Sequence, residues 1–325
     1  MAQDSIAVVA GGSAGVGLAT VEALLARGYR VGILARGQAR LDTLAARYGD
    51  KVVTIACDVS DADATMAAAK DIASRLGIPK VWVNSAMLTA FSPFEEMGAD
   101  EFEAITDTTY HGQVNGTRAA LSVMGTGNIV NIGSGLSYRP VPLQSAYCGA
   151  KHAINGFTGS IRSELIRAGR HIDLSLVQLP AINTPQFTWA RNRLDRAPQP
   201  APPIFQPEVA ARAVMQAIDT GARELLVGQS VLKLVFGDMV LPAALDRKLA
   251  DDGVEGQKSD TPDPGFRSGN LDGPADHAAS AHGDFDDRAS DTGVIVDADK
   301  ARKGLFFGVP LAMLVLGIVI GTILD

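Results

Sequence analysis

Cysteine is nearly absent from this 325-residue chain, which has only Cys57 and Cys148. Two thiols make neither a disulfide framework nor a metal-ligand cluster, which fits a reducing compartment. No basic stripe or basic motif is present, and the net charge is −7, so nucleic acid is not expected as the main partner. The first residues, "MAQDSIAVVAGG", lack a basic region followed by a long apolar core, so no secretory leader is expected. Charge is also unevenly spread. Residues 251–300 carry thirteen acidic and four basic side chains, nine net negative charges, so the rest of the chain carries two net positive ones. The acidic balance belongs to a tail.

Charge disappears altogether at the far end. From Leu305 to Leu324, "LFFGVPLAMLVLGIVIGTIL" runs for 20 residues without one ionisable side chain. As a helix that run would be about 30 Å long, the thickness of a bilayer's hydrocarbon core. It shows no polar face of the kind a core helix keeps. Lys300, Arg302 and Lys303 precede it and only Asp325 follows, which predicts a C-terminal transmembrane helix with its basic flank, and the domain before it, on the cytoplasmic side.

What the chain has in quantity, from residue 5 to about 228, is short Val- and Ile-rich runs such as "SIAVVAG", "KVVTIACDV" and "GNIVNIGS". Amphipathic stretches alternate with them, near 15–28, 38–49, 61–77, 100–124, 147–169 and 207–220. Runs with little in/out alternation suit strands buried on both faces, so the pattern predicts an α/β protein with a parallel sheet between helical layers. After Leu226 one or two closing helices are expected, interrupted at Pro242. The division expected is a catalytic domain over 1–250, an acidic Gly/Asp/Pro-rich linker or partly docked tail over 251–300, and the anchor over 301–325. In the middle segment Phe285 is the residue able to dock.

"VVAGGSAGVG" follows the first strand and opens the first helix, spacing Gly11, Gly15 and Gly17 as Gly-x-x-x-Gly-x-Gly. Such a turn lets backbone amides approach a pyrophosphate at a helix N-terminus, with Val16 in the turn and the Ser13 hydroxyl as a further donor. At the end of the second strand an NAD-specific site would place a carboxylate for the ribose. Here Ala35 is followed by Arg36, with Arg40 a turn later, and guanidinium groups suit the 2′-phosphate of NADP(H). Asp58 and Val59, after the third strand, are placed to meet the adenine.

Near the middle stands Ser145-Ala-Tyr-Cys-Gly-Ala-Lys151. A Tyr and a Lys four apart share one helix face, as surface residues or as a proton-handling pair. Taken with the glycine turn, Asp58, Asn84-Ser85-Ala86, Ser134 and Pro180-Ala-Ile182-Asn-Thr184, the order resembles that of the short-chain dehydrogenase/reductase family over roughly residues 5–228. The resemblance implies a single Rossmann-type doubly wound sheet of about seven strands, a nicotinamide dinucleotide, and a dimer or tetramer. It assigns Tyr147 as acid/base, Lys151 as the cation that acidifies the phenol and bonds the nicotinamide ribose, and Ser134 as the hydroxyl that holds the substrate oxygen. There are departures. Ala10 replaces the Thr that usually opens the glycine motif, Met87 follows Ala86 where Gly is usual, and Ala181 follows Pro180 in place of Gly. Thr109, in Thr109-Tyr-His-Gly112, stands where the family has its fourth catalytic residue, an Asn. Asn115 lies six residues on, at about 100° per residue, and so on another helix face. His111 is a second candidate for a proton route, whereas Cys148 reads as structural.

Beyond Thr184, "PQFTWARNRLDRAPQPAPPIF" is the stretch that covers the substrate in the resembling family, and Phe187 and Trp189 are its candidate apolar walls. The expected activity is interconversion of a lipophilic secondary alcohol and a ketone or aldehyde. The alternatives are a non-catalytic NADP(H) sensor or scaffold at the membrane, and a related lyase or epimerase.

Overall fold

The computed structural model describes residues 5–263, 265–308 and 310. The Val/Ile runs form seven parallel strands: β1 Ile6–Ala10, β2 Arg30–Ala35, β3 Val52–Ala56, β4 Val81–Asn84, β5 Gly127–Ser134, β6 Ile172–Leu179 and β7 Glu224–Val227. They lie in the order β7-β6-β5-β4-β1-β2-β3, so the winding reverses between β1 and β4. Chain reversal at that point opens a crevice beyond the strands' carboxyl ends, where doubly wound sheets bind ligands. One apolar cluster covers each face, one built around Val9, Ile33 and Val214 and the other around Val8, Ile72 and Trp82.

Helices fall close to the amphipathic stretches: Gly15–Ala26, Gln38–Tyr48, Ala62–Leu76, Ser145–Arg167 and Pro207–Thr220. Asp61 starts the third of these by accepting the amide of Ala64 at 2.9 Å. The two closing helices are Gly228–Val240 and Pro242–Glu255, and Pro242 sits in the first turn of the second, where its missing N–H costs least. The stretch expected as one helix over 100–124 is less regular. Ala99–Thr106 and Gly112–Val123 are joined by a wider π turn, Asp107–His111, which contains Thr109.

Of the two arrangements expected for the tail, a linker or a partly docked segment, the structure has the docked one, and it adds strands to edges the domain leaves open. Ile295–Asp297 (β8) pairs antiparallel with β7 and becomes the eighth strand of the main sheet. Lys258–Pro262 pairs with Arg196–Pro198, and Ala289–Ser290 with Ile204–Phe205. Phe285 does dock, edge-on to Phe187 at 5.8 Å between centroids. Among the described residues no helix is long and apolar enough to cross a bilayer. The run predicted to span, 305–324, lies outside the described residues apart from 305–308 and 310.

Candidate active site

β1 ends at Ala10 and the chain turns at Gly11 with φ of 84°. A Cβ on Gly11 would meet the Ala86 amide at 2.5 Å, and one on Gly17 the Gly11 carbonyl oxygen at 2.0 Å. Only glycine permits this close approach, and the result is a bare turn aimed into a cavity of about 750 Å³. Gly11, Ser13, Gly15, Val16 and Gly17 line one end of it, with Asp58 and Val59 beside them. Ser85 and Ala86, from the loop after β4, and Pro180, Ile182 and Thr184, from the chain after β6, line it too. One oxygen of the Asp58 carboxylate accepts the Ser60 amide at 3.0 Å and hydroxyl at 2.7 Å, which orients the side chain.

Ser134, Tyr147 and Lys151 line the same cavity. Ser134 ends β5, and its backbone amide is fixed by the Gln178 Oε1 at 2.8 Å. Tyr147 lies in the first turn of the Ser145–Arg167 helix, and Lys151 one turn on places its ammonium 5.5 Å from the centre of the Tyr147 ring. Lys151 is 1% exposed, and its Nζ donates to the Ile132 carbonyl at 2.7 Å. Burial drives the Lys151 pKa down to about 7. Burial also raises the Tyr147 phenol above its ordinary value, the Cys148 thiol adds to the rise, and the Ser134 hydroxyl offsets part of it. Removal from water is the largest cause of both shifts. Cys148 is itself pushed up by burial to about 11, as befits a packing residue.

Two expected residues lie outside the cavity lining. Asn84 is buried beneath the floor, where it accepts from the Trp82 indole at 2.8 Å and donates to Asn131 at 2.8 Å and Thr117 at 3.1 Å. Thr109, 0% exposed, accepts the Leu88 amide at 3.0 Å and donates to the Leu88 carbonyl at 3.1 Å. Its hydroxyl is committed to the backbone and has no hydrogen left to orient a relay water. His111 is exposed and paired with Asp107 at 2.7 Å, and Asn115 holds the carbonyls of Val59 and Ser60. Phe187 lines the cavity, packed between Phe91 and Phe285. Trp189 also lines it, with the Arg40 guanidinium 5.2 Å from its ring centre. Sequence reasoning missed Gln178 and Gln113. Gln178 steadies Ser134, and Gln113 donates to the same Ile132 carbonyl as Lys151, at 2.9 Å. Nothing in their local sequence marks them.

Arg36 and Arg40 reach the cavity from the end of β2 and the helix after it. Burial lowers both guanidinium pKa values; Asp58 offsets part of this for Arg36, and Arg36 adds to it for Arg40. Each also donates to the tail, Arg36 to the Asn270 carbonyl at 2.8 Å and Arg40 to the Ala275 carbonyl at 2.9 Å.

The family model for short chain dehydrogenases matches residues 5–194. The chain belongs to the short-chain dehydrogenase family. It is 29% identical over 255 residues to the uncharacterized oxidoreductase YxnA of Bacillus subtilis, covering 75% of this chain and 71% of the relative. It is 32% identical over 228 residues to 2-(R)-hydroxypropyl-CoM dehydrogenase of Xanthobacter autotrophicus, covering 67% and 87%. A crystal structure of a short-chain dehydrogenase from Streptomyces avermitilis superposes with a TM-score of 0.65 at 28% identity, over 76% of this chain and 96% of that one. This short-chain dehydrogenase is therefore an NAD(P)-dependent oxidoreductase. The glycine turn that a Cβ would fill, the amides at its helix N-terminus and the cavity running from there to Tyr147 all fit a nicotinamide dinucleotide.

Proposed function

We propose that this dehydrogenase uses NADP(H) to interconvert a lipophilic secondary alcohol and its ketone or aldehyde, with Tyr147 as the acid/base. The observation that carries this is one cavity lined at one end by the glycine turn with Arg36 and Arg40, and at the other by Ser134, Tyr147 and Lys151. A bound nicotinamide supplies or accepts the hydride. The residues manage the oxygen. Ser134 donates to it and holds it beside the phenol, and in reduction Tyr147 passes its proton to the former carbonyl oxygen. Lys151, with its pKa near 7, sits where loss and recovery of a proton are both accessible.

Phosphate recognition is supported by two neighbouring guanidiniums at the end of β2, where a ribose-binding carboxylate would otherwise stand. A lipophilic substrate is supported by Leu234, Leu249, Phe187 and the prolines at 200, 202 and 203 in the cavity wall. The named substrate of the Xanthobacter relative is a secondary alcohol, which is consistent with the reaction type. We further propose that residues 305–324 tether the enzyme to the bilayer with its catalytic domain on the cytoplasmic side, and that it works as a homodimer or homotetramer.

The test is titration with NADPH and NADH by fluorescence, then turnover on a carbonyl panel. Tyr147→Phe should bind dinucleotide normally and lose activity by about 10²–10⁴-fold. Equal turnover in both proteins would remove the acid/base role, and binding without turnover on any substrate would favour the sensor reading. Turnover with no net change in reduced nicotinamide would favour the lyase or epimerase reading. Arg36→Ala should weaken NADPH by roughly tenfold to a hundredfold with NADH little changed, the loss expected for a hydrogen bond to a charged group.

A further inference from the structure

We infer that residues 267–286 form a strap that closes over the dinucleotide and must lift for it to leave. This rests on the reading above that the cleft takes NADP(H). The strap lies beyond the part of the chain matched by the family model, which ends at residue 194.

The strap crosses the cleft from one foot to another. At the first foot Asn192 and Arg267 exchange both backbone bonds, at 3.1 and 2.9 Å, and Arg191 holds the Ser268 carbonyl at 2.6 Å and the Asp272 carboxylate at 2.6 Å. At the second foot Asp286 accepts from Asn183 at 2.8 Å and Gln206 at 3.1 Å, and His282 bridges Glu208 and Asp286. Between the feet, exposed and covered residues alternate from Leu271 to Ala279, as in an extended chain lying on a surface. The covered set, Leu271, Gly273, Ala275, His277 and Ala279, is mostly small, so the chain lies close. Leu271 joins the apolar cluster around Leu88 and Ala146, against which Tyr147 packs.

Its polar contacts fall on the groups that face a dinucleotide. The Asn270 and Ala275 carbonyls take hydrogens from Arg36 and Arg40, and the Ser280 carbonyl takes the Gly15 amide at 2.9 Å. Yet the strap does not fill the cleft, since a cavity of about 750 Å³ stays open with Asn270 as the strap's residue in its wall. A guanidinium carries five donors, so one can hold the strap while others hold a phosphate. Arg40 uses Nη1 on the strap, and its Nε has no partner in the protein. The same two side chains thus link the strap to the 2′-phosphate. A ligand that orders them stabilises the closed strap, and the closed strap retains the ligand.

The test follows release of NADPH and NADH from the full-length protein by stopped-flow displacement. Gly269→Val is the main variant, because its Cβ would fall 2.3 Å from the Arg191 backbone nitrogen at a φ of +68° and would dislodge the first foot. The second is Asp286→Ala at the other foot. Both should release NADPH about tenfold faster or more, with NADH affected less. Hydrogen exchange of amides between 270 and 281 in the wild type should slow on NADPH binding. Unchanged release in both variants, with NADPH bound normally and exchange unaltered, overturns the strap alone. Tighter NADPH binding in the variants overturns it as well, in favour of a segment that competes with the cofactor. Failure of the wild type to bind either dinucleotide overturns the cofactor reading beneath it.

Discussion

Residues 5–228 and residues 258–297 belong to one fold but are held by different forces. In the first region, strands such as Ile6–Ala10 and Val81–Asn84 are buried on both faces, and apolar clusters cover each side of the sheet. In the second, few side chains are buried, Leu271 and Ala281 among them, and order comes from edge pairing and polar contacts. Arg191, Asn192, Asn183, Gln199 and Gln206 of the first region each donate to the second. A segment too poor in aliphatics to fold alone can still be ordered by a host that offers open strand edges and buried donors.

The hardest way to break that comparison is to remove its most buried charge contact. Arg191 is 6% exposed and joins Glu101, in the helix before the π turn, to Asp272 in the tail. Burial raises the Glu101 carboxyl, but bonds from Arg193, the Gly98 amide and Arg191 outweigh that and hold it near 2. Arg191→Met takes one of two guanidiniums from this carboxylate, leaving Arg193, and should cost about 3 kcal/mol in urea unfolding, the loss expected for hydrogen bonds to the charged Glu101 and Asp272. A loss below about 1 kcal/mol, the level of a surface ion pair, would show that the tail's polar contacts are decoration.

How much of each region could be read from the sequence follows from the same contrast. Helices of the first region were legible because burial on one side leaves a period in the residue types, its strands because burial on both faces leaves short Val/Ile runs, and the glycine turn because its spacing is local. The π turn at Asp107–His111 was not, since it contains neither Gly nor Pro to mark a break. Asn84 and Thr109 were assigned to the site by their place in a motif. The structure turns Asn84 under the floor and ties Thr109 to Leu88, an outcome set by tertiary neighbours rather than spacing. Trp189 was expected as a cavity wall and lines the cavity, with Arg40 and His277 packed against its ring. The tail's docking depended on which strands end as sheet edges, and that is known only once the whole sheet is assembled.

A second prediction concerns the first region, where one cation is buried without a carboxylate. Lys151 has its pKa lowered from 10.5 to about 7 by desolvation. Between those values the unfolded chain binds a proton that the folded chain does not, so this group makes stability rise with pH across the window. Lys151→Met should remove that rise. The difference in unfolding free energy between wild type and variant should shift by up to about 2–3 kcal/mol over two pH units within the window. A difference independent of pH would mean that Lys151 stays charged in the fold.

The smallest effect expected tests the tail's second foot. Burial lowers the His282 pKa, but hydrogen bonds and charge from Glu208 and Asp286 outweigh it, so the net shift is upward from 6.5. The Asp286 carboxyl is lowered, chiefly by its bond to His282. A raised histidine contributes stability in full below 6.5, and that contribution disappears as pH rises through the raised value. The carboxylate's contribution runs the other way, being lost only as pH falls through its lowered value. The foot should therefore be firmest in mildly acidic solution and loosen on the alkaline side of neutrality. Tryptic cleavage after Arg288, which is exposed two residues beyond Asp286, reads this directly. Cleavage should accelerate as pH rises from about 6 to 8.5, after correction for the protease's own pH profile, and the acceleration should vanish in His282→Gln. If both proteins are cut alike at every pH, the imidazole does not hold the foot, and the bonds from Asn183 and Gln206 to Asp286 suffice on their own.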